Sequence, residues 1–117
     1  MTQVHRVVNP AYKSEYVEDA NLDESELEKL YPLNVDEAWY WYKQGSYEGR
    51  GQILIRRGQQ YMIHDLSHCS CYGPLDHLYE FIGKVLKELI ESVSKDAYEN
   101  ELKCLFDMAL KAEKEDK

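Results

Sequence analysis

The pattern of this chain changes from strand-like to helix-like at the run His64-Asp65-Leu66-Ser67-His68-Cys69-Ser70-Cys71-Tyr72-Gly73-Pro74. The run contains two of the four histidines and two of the three cysteines, and His77 follows three residues after it. No other part of the sequence is as dense in side chains that can bind a metal, attack a substrate or carry a proton. Residues 66–74 are therefore predicted to form a Cys/His loop that joins a strand to a helix.

Three strand patterns precede the Cys/His loop. From Val35 to Gln44 the side chains alternate with period two, and the many aromatic residues fit a pleated surface. Apolar runs follow from Gln52 to Arg57 and from Gln60 to Asp65, with only Gly58-Gln59 between them. Because short links join neighbouring antiparallel strands, residues 35–65 are predicted to form a three-stranded antiparallel β-meander.

A helical pattern follows the Cys/His loop. Apolar residues recur every three or four positions after Pro74, which predicts a helix over residues 75–92. Ser94 is a suitable cap for a second helix, and its apolar positions continue to Leu110. Residues 75–112 are therefore assigned to two C-terminal helices.

The part of the chain before the meander is acidic. Residues 22–31 predict a short helix with Leu27, Leu30 and Tyr31 on one face, and Pro32 is expected to end it. Residues 1–21 are expected to form an extended or loosely docked arm. The predicted fold is a single α+β domain over residues 1–117. Its three-stranded antiparallel β-meander packs one face against two C-terminal helices, with a short N-terminal acidic helix.

Composition excludes several classes of function. The 117 residues include 22 Asp and Glu against 14 Lys and Arg, a formal net charge of −8, so direct binding to nucleic acid is not expected. No apolar run approaches the length of a membrane span, and no signal-peptide core is visible. Three cysteines, an odd number, do not form a secreted disulfide framework. We expect a cytoplasmic protein that does not bind membranes.

The Cys/His loop allows three interpretations. Its soft donors could hold zinc through His64, His68, Cys69 and Cys71, although a single C-x-C lacks the second pair of ligands usual in structural zinc sites. A cysteine-dependent enzyme is a second interpretation. In the third, the cysteines are small buried groups at a tight junction, and this purely structural role is favoured.

The enzyme interpretation needs a base beside a thiol. His68 or His77 could activate Cys69 or Cys71, with Asp65 or Asp76 orienting the imidazole. No catalytic signature surrounds either cysteine. We therefore expect no enzymatic activity and no cofactor, with zinc as the alternative.

Two segments together resemble a known group of proteins. Gly45-Ser46-Tyr47-Glu48-Gly49-x-Gly51, followed by a hairpin and by the run from His64 to Pro74, is similar to small, mostly uncharacterised proteins of phages and bacteria. The resemblance covers about residues 39–77, and its most specific part is His-Cys-Ser-Cys-Tyr-Gly. It implies a phage or mobile-element origin and implies no catalytic residue.

The favoured function is a non-enzymatic acidic interaction protein, encoded by a phage and acting in the host cytoplasm. It is predicted to modulate or inhibit a host protein with a basic surface, such as a transcription or defence component. The alternative is a zinc-binding or cysteine-dependent enzyme that uses residues 64–77. Monomer and homodimer both stay open.

The predicted partner-binding residues are of two kinds. Acidic charges would steer the approach of the partner, and aromatic side chains would then anchor it. Burial of the tryptophans in the core is an open alternative. The anchors are Trp39, Trp41 and Tyr47, and the steering charges are Asp23, Glu24, Glu26 and Glu28.

Overall fold

A computed structural model describes residues 2–13, 16–45, 49–67 and 73–115, and it shows an α+β fold built on a mixed five-stranded sheet. The strands are β1 (Gln3–Arg6), β2 (Glu18–Asp19), β3 (Glu37–Gln44), β4 (Gly49–Arg57) and β5 (Gln60–Asp65). The first helix is α1 (Glu24–Leu27), and it continues as a 3₁₀ segment (Glu28–Leu33). The C-terminal helices are α2 (Leu86–Ser92), α3 (Lys95–Ala97) and α4 (Lys103–Glu115). A π-helical segment (Tyr98–Leu102) connects α3 to α4.

The predicted meander is confirmed as the centre of a larger sheet. β3, β4 and β5 pair antiparallel in that order, in the register Trp39↔Leu54 and Leu54↔Ile63. β1 pairs parallel with the first half of β3, and β2 pairs antiparallel with its last two residues. The described part of the N-terminal arm is extended, and it contributes β1 and β2 to the sheet. Without them, the edge of β3 that faces away from β4 would leave its peptide groups unpaired.

Both faces of the sheet are covered. Tyr40, Ile53 and Ile55 point to one face, where they pack under α1, its 3₁₀ continuation and the buried Leu75. The other face carries Trp39 and Leu54, and the C-terminal helices cover it. The prediction placed helices on one face only. The short acidic helix instead closes the opposite face, and residues 23–33 are called the acidic lid below.

The predicted helix over residues 75–92 is only partly correct. The described chain turns at residues 74–77 and forms no helix from there to Val85, so within the predicted range only α2 is helical. Leu75 is buried on the lid side of the sheet and Leu86 on the helix side, so the chain has to cross the edge of β5 between them. At that edge Tyr61 and Lys84 exchange backbone hydrogen bonds of 2.7 and 2.9 Å. Pairing with the sheet replaces the helical hydrogen bonds that the apolar spacing predicted.

The second predicted helix is confirmed at its start. The side chain of Ser94 accepts a hydrogen bond of 3.1 Å from the backbone N–H of Ala97, the expected cap. The predicted end of the acidic helix at Pro32 is not confirmed. Pro32 lies inside the 3₁₀ segment, and the chain turns at Asn34, which has a left-handed backbone (φ 56°). Among the described residues, no helix is both long and apolar enough to cross a bilayer.

Candidate functional site

Both tryptophans belong to the core. Trp39 is 2% exposed and Trp41 is 0% exposed. The indole Nε1 of Trp41 donates a 2.6 Å hydrogen bond to the carbonyl of Glu101, and His5 stacks over Trp39 at 6.0 Å between ring centroids. Their predicted role as exposed anchors is therefore wrong, because α4 and its neighbours already cover them. The third predicted anchor, Tyr47, lies outside the described residues.

One of the four predicted steering charges is structural. The carboxylate of Glu26 accepts a 3.0 Å hydrogen bond from the backbone N–H of Leu75 and a 2.9 Å hydrogen bond from Nζ of Lys29. Its side chain is only 16% exposed. Glu26 is therefore not free to meet a partner, and this part of the prediction is corrected.

The other three charges are exposed as predicted. Asp23, Glu24 and Glu28 lie on the outer side of the acidic lid. Within the part of the chain that the structure describes, no lysine, arginine or histidine forms an ion pair with any of them. The lid therefore presents exposed carboxylates that have no ion-pair partner among the described residues.

The local sequence makes this surface strongly negative. Residues 16–36 contain seven carboxylates and one basic residue, Lys29. Lys29 is held by Glu26 and by Asp76, and the hydrogen bond that its ammonium donates to Asp76 is the main reason that the pKa of Lys29 lies above the ordinary value. Under the lid, burial and then the charges of Glu26 and Asp23 raise the pKa of Tyr42 to about 12. The field of the lid therefore reaches the sheet as well as the solvent.

An aromatic side chain that the sequence placed on the same face as Leu27 and Leu30 completes the exposed side of the lid. Tyr31 is 56% exposed. The 3₁₀ segment has three residues per turn, so Leu27, Leu30 and Leu33 align toward the core, while Glu28 and Tyr31 align toward solvent. Helical spacing of 3.6 had predicted Tyr31 on the inner face. In the sequence, only Pro32 indicated that this segment is wound more tightly than an α-helix.

Tyr31 also borders a cleft. The cleft has a volume of about 590 Å³ and lies where β1 begins and the 3₁₀ segment ends. Its walls are Thr2, Tyr31, Asn34, Val35 and Asp36. The exposed side of the lid thus runs from Asp23 and Glu24 through Glu28 to an aromatic ring and an open cleft.

The turn after the Cys/His loop is clamped to the lid. Asp76 accepts a 2.6 Å hydrogen bond from the backbone N–H of Gly73 and also pairs with Lys29. The ammonium of Lys29, followed by the Gly73 amide, lowers the pKa of Asp76. Glu26 binds the amide of Leu75 in the same turn. The lid and the turn at residues 73–77 therefore form one unit, although they are far apart in the sequence.

Of the predicted metal ligands, the structure places only His64. Its imidazole is half-buried on β5, and burial is the main cause that lowers the pKa of His64. The charge of Asp65 raises this pKa, and the charge of His77 lowers it further. His68, Cys69 and Cys71 lie outside the described residues. In residues 2–13, 16–45, 49–67 and 73–115 no three His, Cys, Asp or Glu side chains are arranged to hold a metal.

The two carboxylates proposed to orient a catalytic imidazole have other partners. Asp65 accepts a 2.8 Å hydrogen bond from the backbone N–H of Ser67. Asp76 binds Gly73 and Lys29, as described above. Both carboxylates therefore accept hydrogen bonds from backbone N–H groups on either side of residues 68–72.

A polar cluster that the sequence did not predict joins three strands. Nε2 of His5 lies 2.7 Å from Oε2 of Glu37, whose other oxygen lies 3.4 Å from Arg56. His5 was assigned to the N-terminal arm, and only the parallel pairing of β1 with β3 brings it to Glu37. The cluster fastens β1 to the sheet.

Comparison with known proteins leaves the site to be interpreted from its own geometry. No family model, no curated protein and no solved structure matches this chain. The charge, exposure and fixed placement of the lid residues are therefore the basis of the functional argument.

Proposed function

We propose that this protein is a non-enzymatic interaction protein, encoded by a phage, that binds a basic surface of a host protein through the exposed side of its acidic lid. The observation that carries the proposal is that Asp23, Glu24, Glu28 and the ring of Tyr31 are all exposed on the acidic lid. Covering a basic surface that the host protein needs for nucleic acid would inhibit a transcription or defence component in the host cytoplasm.

Electrostatics supports this use of the lid. Glu24 and Glu28 are one helical turn apart, and two like charges at that spacing weaken a helix by roughly 0.2–0.5 kcal/mol. A lysine at either position would remove the repulsion. A basic partner would relieve it on binding, and the same field would accelerate the encounter.

Tyr31 supplies the second component of a binding surface. Interfaces draw much of their affinity from a few aromatic and arginine side chains, surrounded by charges that mainly affect the rate of association. With Trp39 and Trp41 buried, Tyr31 takes the role that the sequence had assigned to them. Tyr31 lies in the same 3₁₀ segment of the lid as Glu28.

The proposal is tested by affinity capture from a bacterial host extract with two charge-matched variants. In the lid variant Asp23, Glu24 and Glu28 become lysine, and the side chain of Asp23 makes no helix-capping hydrogen bond that this would break. In the control variant the exposed Glu80, Glu91 and Glu99 become lysine. Both have the same net charge. We expect the control to capture the same host protein as the wild type, and the lid variant to lose it. Equal capture by both variants would refute the proposal.

A second candidate function is zinc binding by the Cys/His loop, since the half-buried imidazole of His64 lies at the end of β5 that leads into this loop. The sequence then adds Cys69 and Cys71 as sulfur donors.

Elemental analysis of the purified protein separates this candidate from a purely structural loop. One equivalent of zinc that is lost in the Cys69→Ser, Cys71→Ser double variant would support it. Cys104→Ser is the matched control, because burial raises the pKa of that thiol to about 11 and keeps it a poor ligand. The absence of zinc from the wild type, even after its addition, would refute the candidate.

A further inference from the structure

The cleft beside Tyr31 is held in shape by hydrogen bonds on both sides. Thr2 donates its hydroxyl to the carbonyl of Val35 at 2.6 Å, and the backbone N–H of Gln3 donates to the carbonyl of Asp36 at 3.1 Å. On the opposite side the N–H of Asn34 donates to the carbonyl of Tyr31 at 3.1 Å. A site that is formed before the ligand arrives loses little entropy on binding.

The chemistry of the walls suits a cation. The ring of Tyr31 offers an exposed aromatic face, and the side chain of Asp36 is 52% exposed. The backbone N–H of Gly58 donates to Oδ2 of Asp36 at 2.7 Å, which fixes the carboxylate and leaves Oδ1 to a ligand. An aromatic ring beside a carboxylate binds a guanidinium through the ring face and through charged hydrogen bonds.

The basic side chain nearest to Asp36 does not cancel this charge. Arg56 lies 3.7 Å from Asp36 and 3.4 Å from Glu37, and it also donates to the carbonyl of Gly58. Two carboxylates therefore share one guanidinium. No lysine, arginine or histidine is among the described residues that line the cleft. Asp36 is the one charged residue among the described residues that line the cleft, so an anionic or apolar ligand fits it poorly.

We propose that this cleft is the subsite for one arginine side chain of the basic partner. The inference rests on the proposed function and deepens it, because it names the group that the lid surface recognises. Glu28 and Tyr31 follow one another along the exposed side of the lid, so a partner steered by the carboxylates arrives at the cleft. Tyr31 then stacks on the guanidinium while Asp36 accepts its hydrogen bonds.

The test is a titration of ¹⁵N-labelled protein, followed by NMR, with two peptides that differ in one charge. The probes are acetyl-Gly-Arg-Gly-amide and the same peptide with citrulline in place of arginine. We expect saturable shifts of the Asn34, Val35 and Asp36 amides with the arginine peptide and none with the citrulline peptide. Tyr31→Leu and Asp36→Asn should each weaken binding roughly two- to fivefold, the effect of losing one cation–π or charged contact at an exposed site.

The outcomes separate the cleft from the lid surface as a whole. Shifts that are unaffected by Tyr31→Leu and Asp36→Asn but lost in the lid variant would refute the arginine subsite and leave the proposed function standing. The absence of shifts with the arginine peptide would also refute it. Binding in the cleft, together with failed capture of any host protein by the lid, would refute the proposed function and retain the subsite. Tyr31→Leu changes an exposed side chain, so it stays informative if Asp36→Asn loosens the turn at Gly58.

Discussion

The carboxylate of Glu26, in α1, accepts a 3.0 Å hydrogen bond from the backbone N–H of Leu75, 49 residues further along the chain. Through this bond the acidic lid and the turn that follows the Cys/His loop are held together. Lys29 strengthens the junction, since it pairs with both Glu26 and Asp76. The lid therefore contains two kinds of carboxylate. Glu26 positions the fold, while Asp23, Glu24 and Glu28 face outward.

The first prediction separates these two kinds by stability. Glu26→Ala removes the acceptor of the Leu75 amide, and a partly buried hydrogen bond to a charged group contributes on the order of 1–2 kcal/mol. Glu28→Ala, two residues later and exposed, should change the free energy of unfolding by less than about 0.5 kcal/mol. Urea denaturation measures both. Equal effects of the two substitutions would show that Glu26 is not a structural residue.

The second prediction concerns Gly73. A β-carbon there would lie 2.9 Å from Cδ of Glu26 and closer still to its Oε1, so a side chain has to displace the carboxylate. Positive φ is not the reason for glycine, since Gly58 is the described glycine with such a backbone. Gly73→Ala should therefore destabilise by roughly the same 1–2 kcal/mol as Glu26→Ala, and through the same hydrogen bond.

A double-mutant cycle checks that mechanism. If Gly73→Ala acts by displacing Glu26, the double variant should be about as stable as Glu26→Ala alone, because the bond can be lost only once. Additive losses in urea denaturation would mean that the two residues act independently.

The third prediction concerns the tryptophans. Trp39→Ala should lower the free energy of unfolding by about 3–5 kcal/mol, the usual cost of removing a large aromatic group from a core. Tyr31→Ala, at an exposed position, should change it by less than about 0.5 kcal/mol. Thermal or urea denaturation provides the comparison. A Trp39→Ala protein with wild-type stability would contradict the burial of Trp39 and favour its role as a surface anchor.

Local patterns were sufficient to predict the centre of the sheet. The alternation from Glu37 to Gln44 and the two-residue turn at Gly58 are short-range features that specify antiparallel strands. β1 and β2 could not be predicted in this way. The pairing of Gln3 with Glu37 is parallel and joins residues far apart in sequence, and neither strand has a local pattern of its own.

The misassigned helix has a different cause. Leu75, Leu78, Ile82 and Leu86 have helical spacing, yet Leu75 and Leu86 contact opposite faces of the sheet. Periodicity reports which positions are apolar and does not report which surface covers them. The exchange of hydrogen bonds between Tyr61 and Lys84 is a tertiary event, and it overrides the local preference.

The same distinction explains which site residues could be predicted. Exposure of Asp23, Glu24 and Glu28 follows from their charge alone. Burial of Glu26 depends on a partner in a distant turn, which the sequence does not show. The aromatic residues of β3 gave no preference between core and surface, because Trp39 and Tyr40 on opposite faces are equally apolar and both are buried.

The fourth prediction concerns pH. Burial lowers the pKa of His64 below its ordinary value of 6.5, with His77 adding to the shift and Asp65 opposing it. The unfolded chain then binds a proton more readily than the folded one, so stability should be full above pH 6.5. It should fall as the pH drops through 6.5, with the loss complete below the folded pKa.

Replacement of His64 isolates this contribution. His64→Gln should remove the part of the loss that begins as the pH falls through 6.5, while carboxylates titrate at lower pH in both proteins. Urea denaturation at a series of pH values gives the difference. Parallel curves for the two proteins would show that His64 titrates alike in the folded and unfolded chains.

The central claim, that the exposed side of the acidic lid binds a basic host surface, is tested most directly by the rate of association. Surface plasmon resonance with the captured host protein gives this rate for the wild type, the lid variant and the control variant between about 0.05 and 0.5 M salt. We predict a steep fall with salt for the wild type and the control variant, and a slow, salt-insensitive rate for the lid variant. A rate that changes with neither salt nor lid charge would contradict the account.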